Sequence, residues 1–228
     1  MNIIRTSENT VLILFEQVIN SANFLLINQQ TQSIKRQMTE YIIDIIPSYA
    51  SIHITFNIVQ ISGLDFTQKL NEVLQNPHIS NEPNTNQTVI EIPAYYGEEV
   101  ALDLPHVAEK VQLSDSDVVR IHSETIYDVY AIGFAPGFAY LGNVDKRIAV
   151  SRKETPRQKV ARGSIAIADQ QTAIYPSESP GGWQVIGRTP IHLIDYSSKT
   201  LTQFTTGNKV KFVAISKSEF IKMGGTFE

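Results

Sequence analysis

The sequence predicts an α+β chain in two unlike parts: a small ferredoxin-like α/β layer, then a mostly β barrel or sandwich. Three observations carry that reading. The first eighty residues alternate strand-like and helix-like stretches. From about Tyr127 onward the chain is a series of short apolar pieces cut by Gly and Pro. Between the two lies NPHISNEPNTNQT (76–88), polar, with two prolines and four asparagines, too poor in apolar residues to pack. The expected domains are therefore 1–82 and 88–228, with the junction near residues 77 to 87.

In the first part, Thr10 to Phe15 reads as a strand. Residues from about Ile19 to Gln37 carry Ile19, Phe24, Leu25, Ile27 and Ile34 on a rough helical face. Tyr41 to Ile46 is too β-branched and too short for a helix, and Pro47-Ser48 turns the chain. Ile52, Ile54, Phe56 and Ile58 then alternate with Ser51, His53, Thr55 and Asn57, as a half-buried strand requires. Leu64, Leu70, Val73 and Leu74 mark a second helix. The order β-α-β-β-α, open to a closing strand, is a two-layer sandwich.

In the second part, Val89 to Pro93 is a short strand, and Leu102, Leu104, Val107, Ala108 and Val111 fit one helix. Ser114 with Asp117 resembles a capping box that opens another. Seven strand-like pieces follow: VYAIGF, RIAV, GSIAIA, TAIYP, WQVIG, PIHLIDY and KVKFVAI.

Composition removes several function classes. Nineteen basic against 23 acidic residues give a net charge of −4, which offers no general attraction to nucleic acid or to a membrane surface. With no cysteine there is no disulfide scaffold, thiolate zinc site or cysteine nucleophile. The apolar run Val11 to Phe15 is not a signal peptide, and no stretch approaches the roughly 20 apolar residues of a membrane span. A cytoplasmic protein is expected. The chain lacks the phosphate-loop, dinucleotide, nucleophile-elbow and zinc-helix patterns, and its histidines (53, 78, 106, 122, 192) have no metal-ligand spacing, so no metal site is expected.

Three stretches stand out. In GFAPGFAYLG (133–142), Pro136-Gly137 fits a type II turn ringed by Phe134, Phe138 and Tyr140, either a packed barrel corner or a loop whose N–H groups face a ligand. Lys146, Arg147, Arg152, Lys153, Arg157, Lys159 and Arg162 lie in seventeen residues with one acid, Glu154, giving a local +6. Such a run is a solvated face or an anion site. In YPSESPGGWQVIGRTP (175–190), the only tryptophan, Trp183, follows Gly181-Gly182 and precedes Arg188-Thr189-Pro190. His122, between a helix end and a strand, is the proton-transfer candidate near neutral pH.

The long segments IEIPAYYGEEVALDLPHVAEKVQLSDSDVVRIHSETIYDVYAIGFAPGFAYLG and TPRQKVARGSIAIADQQTAIYPSESPGGWQVIGRTP resemble the PxpB/KipI family, also called allophanate hydrolase subunit 1, which includes the PxpB component of 5-oxoprolinase. IIPSYASIHITFN extends the resemblance to the N-terminal part. The resemblance implies a cyclophilin-like β-barrel for residues 88–228. It implies partners, a PxpC (subunit 2) protein and a PxpA protein, and a reaction in which ATP, with Mg, drives the opening of 5-oxo-L-proline to L-glutamate. Relatives serve urea and allophanate metabolism, and one inhibits a sporulation histidine kinase, so a component of such an amidohydrolase and a binding regulator are the alternatives. Ala135, Ala139 and Arg162 depart from the family pattern.

The expected substrate contacts are Phe134, Gly137, Arg157, Gln171, Tyr175, Gly181, Gly182, Trp183, Arg188 and Thr189, with His122 catalytic and the substrate a small anion. Arg157 and Arg188 are the expected anion holders, since Thr155-Pro156-Arg157 and Arg188-Thr189-Pro190 place a guanidinium beside a proline-fixed turn.

Overall fold

A computed structural model describes residues 1–18, 20–77, 89–198 and 200–227. The chain divides into two compact units, Met1–Asn86 and Gln87–Glu228. Most of the segment expected as a linker, 78–88, lies outside the described residues, as do Ile19 and His78.

The first unit runs β1 (Asn2–Arg5), β2 (Thr10–Leu14), α1 (Ser21–Met38), β3 (Ile42–Pro47), β4 (Ser51–Phe56) and α2 (Gly63–Gln75). Its sheet has the order β1-β2-β4-β3 with every neighbouring pair antiparallel. Val11, Ile13, Ile52, Ile54 and Phe56 point from the strands into one core with Ile27, Ile34 and Met38 of α1 and Phe66, Leu70 and Val73 of α2. Phe56 stacks on Phe66 at 4.3 Å between ring centroids. Asn20 and Ser62 cap the two helices by accepting from the N–H groups of Asn23 and Asp65.

The fourth strand of this sheet is the N-terminal β1, not one that follows the second helix. Four residues with only Ile3 against the core leave no period-2 signal to read. The alternation through Ile58 also stops early. The Asn57 side chain accepts from the Val59 N–H at 3.0 Å, which turns the chain and leaves Ile58 52% exposed. Leu25 and Leu64 face solvent, and Phe66 takes the core position of the second helix.

The second unit contains β5 (Val89–Ala94), α3 (Leu104–Val111), α4 (Asp115–Glu124), β6 (Ile126–Ile132), β7 (Ala139–Gly142), β8 (Arg157–Val160), β9 (Ser164–Ala168), β10 (Gln171–Ile174), β11 (Ser179–Gly181), β12 (Gln184–Arg188), β13 (Lys209–Ala214) and α5 (Lys217–Lys222). Seven strands form one sheet in the order β12-β9-β10-β7-β6-β13-β5, with only β13 and β5 parallel. Just past the end of β5, Tyr95 pairs with Arg188 of β12. This pair joins the two ends of the sheet and nearly closes it into a barrel. A separate ladder, β11 with β8, lies beside it.

The barrel core is filled from alternate positions: Ile165 and Ile167 of β9, Ile174 of β10, Ile186 of β12, Val210 and Phe212 of β13, joined by Leu104, Val107, Val118 and Ile121 of α3 and α4. Two of the expected strands are absent. RIAV forms a 3-10 turn with one bridge, Val150 to Asp169, and PIHLIDY makes only the bridge Ile194 to Thr202. In PIHLIDY the Asp195 carboxylate accepts from the Ser197 N–H at 2.9 Å, bending the backbone where an extended strand was expected. The strands β7, β8 and β11 were not expected, because glycine, proline or charge dominates each.

Candidate functional site

The two Gly/Pro-rich loops meet. On β9 and β10, Ala166, Ala168 and Ala173 point away from the barrel core, and their small side chains leave room for rings above them. Phe138, Tyr175 and Trp183 fill that room, with Val160 and Val185 below and Tyr140 at the rim. Phe138 stands edge-on to Tyr175 at 5.5 Å and to Trp183 at 5.9 Å, and Tyr140 lies 5.9 Å from Trp183. Arg152 covers the indole at 5.7 Å. Trp183 is thus the packed anchor of a wall.

Backbone geometry fixes this arrangement. Gly137 sits at φ 77 in the turn closed by the Phe138 N–H donating to the Ala135 carbonyl at 3.0 Å, as a type II turn requires. Gly181 lies against the Tyr175 hydroxyl, which occupies the place of any side chain there. Phe134 is the exception. It holds φ 72 without being glycine, and its ring is 66% exposed while meeting Phe138 edge-on at 5.3 Å. A bulky residue held left-handed costs about 1–2 kcal/mol. Here that cost supports a phenyl ring in solvent at the edge of the aromatic wall.

Beneath the wall lies a carboxylate that the sequence pattern did not single out. Asp103 is buried and accepts from both arms of Arg157 at 2.7 and 2.8 Å, from Lys153 Nζ at 2.9 Å and from the Val185 N–H at 2.7 Å. Burial alone would push its carboxyl up. The hydrogen bonds from Arg157, Lys153 and Val185 outweigh burial and hold it below the ordinary carboxylate range. Asp103 is also the N-cap residue of α3, yet its side chain makes no cap bond, being turned to Arg157 instead. The signal in the sequence was an acid between Leu102 and Leu104 at the entrance of a helix with Pro105 in its first turn.

This pairing corrects one expectation. The Arg157 fork assigned to a substrate anion is already filled by Asp103, bidentately. The +6 window is thinned in the same way: Arg147 pairs with Asp145, Lys153 and Arg157 with Asp103, and Lys159 with Glu178. Three acids from outside the window halve its field, leaving Lys146, Arg152 and Arg162 outside these ion pairs.

Arg188 and Thr189 lie at the far end of β12. Arg188 is buried, donates from Nη1 to the Thr226 carbonyl at 2.9 Å, and has its guanidinium pKa pushed down by burial and then by Arg162. The Thr189 N–H donates to the Gly163 carbonyl at 2.9 Å, and the Gly163 N–H to the Tyr175 carbonyl at 2.7 Å, which ties this end to the aromatic wall.

His122 is elsewhere. It is fully buried inside the barrel against Phe212 at 4.5 Å and Tyr127 at 5.4 Å. The Thr172 hydroxyl donates its proton to the Ala166 carbonyl at 3.0 Å, so it accepts from His122 Nε2–H at 3.0 Å. Nδ1 is then the acceptor for the Tyr96 hydroxyl at 2.8 Å. Burial pushes the imidazole pKa down to about 3 and keeps it neutral. His122 does lie between a helix end and a strand, as expected, but it is a core residue with both nitrogens engaged. Gln171 opens β10 opposite Ala168 and Gly142, at the other end of that strand from Tyr175. The structure therefore gathers Phe134, Gly137, Tyr175, Gly181, Gly182 and Trp183, sets Arg157 beside them in register with Gly181, and leaves His122 and Gln171 apart.

Residues 1–204 match the family model described as carboxyltransferase domain, subdomain C and D. The B subunit of the Bacillus subtilis 5-oxoprolinase is 34% identical over 93% of this chain and 92% of its own length. The B subunit of the Haemophilus influenzae 5-oxoprolinase is 45% identical over 54% of this chain and 58% of its own. Among solved structures, the protein TTHA0988 superposes with a TM-score of 0.78 at 27% identity over 92% of this chain, which spans 40% of that longer chain. A conserved uncharacterized protein of Pyrococcus horikoshii matches over 96% of this chain and all of its own length at 35% identity, with a TM-score of 0.58. The Kluyveromyces lactis urea amidolyase shares the fold, with a TM-score of 0.74 over 94% of this chain and 15% of its own, at 19% identity.

Proposed function

This chain belongs to the carboxyltransferase subdomain C and D family, within its PxpB/KipI group, and from that premise we propose that it is the PxpB component of an ATP-dependent 5-oxoprolinase. In this reading it works with a PxpC (subunit 2) and a PxpA homologue, in the cytoplasm, to open 5-oxo-L-proline to L-glutamate. The observation that carries it is the identity to the Bacillus subtilis 5-oxoprolinase chain, which runs through both units. The aromatic wall supports it: the exposed Phe134 ring and the half-buried Tyr140 ring, held by the buried Phe138 and Trp183 behind them, offer an apolar edge to a flat lactam ring, with Arg152 supplying positive charge at the rim.

ATP and Mg are assigned to the assembled complex. This chain's own contribution is to bind and orient. The rings exclude water from one face of the substrate, and cations near the wall favour charge that develops on the lactam oxygen.

Co-expression with PxpC and PxpA homologues, followed by assay of 5-oxoproline-dependent glutamate and ADP release, tests the proposal. Activity is expected from the assembly and none from this chain alone. ATP consumption that ignores 5-oxoproline would sink it.

A further inference from the structure

The turn between β8 and β9 carries a cation whose hydrogen bonding is incomplete. Residues Ala161 to Ser164 form this turn, closed by the Ser164 N–H donating to the Ala161 carbonyl at 3.2 Å. Gly163 holds φ 79 there, and a Cβ on it would fall 2.5 Å from the Thr189 carbonyl oxygen and 3.3 Å from Arg188 Cγ. The turn is therefore pressed against the Arg188-Thr189 segment at Gly163, the residue that follows Arg162. Nη1 of Arg162 is buried and has no hydrogen-bond partner. Among the described residues no carboxylate lies within ion-pair distance of Arg162. The charge that it does feel is of its own sign, since Arg162 adds to burial in pushing the Arg188 guanidinium pKa down.

A buried guanidinium N–H without an acceptor, next to a second guanidinium, is unfavourable on two counts. A small oxyanion resolves both at once: it accepts from Nη1 and places negative charge between the two cations. We propose that Arg162, with Arg188 beside it, forms a subsite for a small carboxylate at the end of β12. The choice of carboxylate over phosphate rests on the function proposed above; the subsite itself rests on the buried, unpartnered Nη1 of Arg162 in a turn packed against the Arg188-Thr189 segment. This assignment moves the anion contact from Arg157, which Asp103 holds, to Arg162.

The test uses the full chain with 5-oxo-L-proline, L-glutamate and inorganic phosphate at millimolar concentrations, read by calorimetry and by the Arg side-chain resonances in NMR. Binding of a carboxylate probe is expected to shift the Arg162 resonances. Arg162→Ala should weaken it at least tenfold, and Arg162→Lys nearly as much, because a shorter-reaching ammonium lacks the planar fork that matches both carboxylate oxygens. Arg120→Ala, at an exposed position of α4, should leave it unchanged. If Arg162→Ala fails to fold, the resonance shift in the unaltered chain decides alone. Unchanged affinity in Arg162→Ala, or no response of Arg162 to any probe, would each overturn the subsite, and binding by phosphate only would overturn its assignment to a carboxylate. Since binding is read on the isolated chain, a failure of the assembled subunits to turn over 5-oxoproline would count against the proposed function and not against this result.

Discussion

Tyr95 and Arg188 exchange two backbone hydrogen bonds, each of 2.8 Å, and that one pair connects the ends of a seven-stranded sheet. Both side chains are fastened by the C-terminal segment. The Tyr95 ring stacks on Phe220 at 5.1 Å and its hydroxyl donates to Glu99, which pairs with Lys217, while Arg188 bonds the Thr226 carbonyl. A seam made of so few backbone bonds depends on what covers it.

Phe220→Ala should therefore cost about 3–5 kcal/mol, the usual range for a fully buried phenylalanine. It should also speed hydrogen exchange at the Tyr95 and Arg188 amides ahead of the barrel core. Denaturant midpoints and exchange rates measure this; uniform exchange across the sheet would show that the seam opens only with global unfolding.

Asp103→Asn should destabilise by about 3 kcal/mol or more, since it strips a buried carboxylate from two half-buried cations. Arg157→Lys keeps the charge and loses the fork, so it should lower the melting temperature while leaving substrate KM in the assembled enzyme near wild type. A raised KM with an unchanged melt would return Arg157 to the substrate.

His122 should make the barrel acid-sensitive. Its folded pKa of about 3 lies below the ordinary histidine value of 6.5, so the unfolded chain binds the extra proton. The contribution is complete above pH 6.5 and declines as pH falls toward 3, by up to about 1.4 kcal/mol per pH unit. Urea midpoints across that range, compared with His122→Asn, provide the check. An identical slope in both proteins would place the sensitivity in other groups.

Phe134→Gly should relieve backbone strain and leave stability equal or slightly higher, while weakening 5-oxoproline turnover by the assembly. Lower stability with unchanged turnover would make Phe134 a packing residue instead.

We propose that the two units fold separately, so limited proteolysis should cut first in the Asn- and Pro-rich segment 77–87. An earlier cut inside 130–190 would contradict this.

Much of the architecture was legible because period carried it. Ile52, Ile54 and Phe56 alternate into a core, and SIAIA reads as a strand whose isoleucines and alanines face opposite ways. β1 and β11 were not legible, since strands of four and three residues are made by their partners. The loops 133–142 and 175–183 announced themselves by Gly, Pro and rings, and they do meet. The partners of charges did not. Arg157 finds Asp103 across 54 positions of sequence, and His122 finds Thr172 across 50, distances over which no local pattern extends. Arg157 consequently looked available and His122 looked accessible.

The strand β13 sits between β5 and β6, although it is made after every other strand of the sheet. On the ribosome, the first two barrel strands to emerge have no direct neighbour in each other. They wait for residues 209–214 before either can complete its ladder. Closure is thus postponed until nearly all of the second unit has left the exit tunnel, and apolar edges at β5 and β6 stay open meanwhile. Such long-range pairing places barrel formation on the slow side, roughly milliseconds to seconds. During that interval the nascent chain is exposed to aggregation and is a natural client for chaperones.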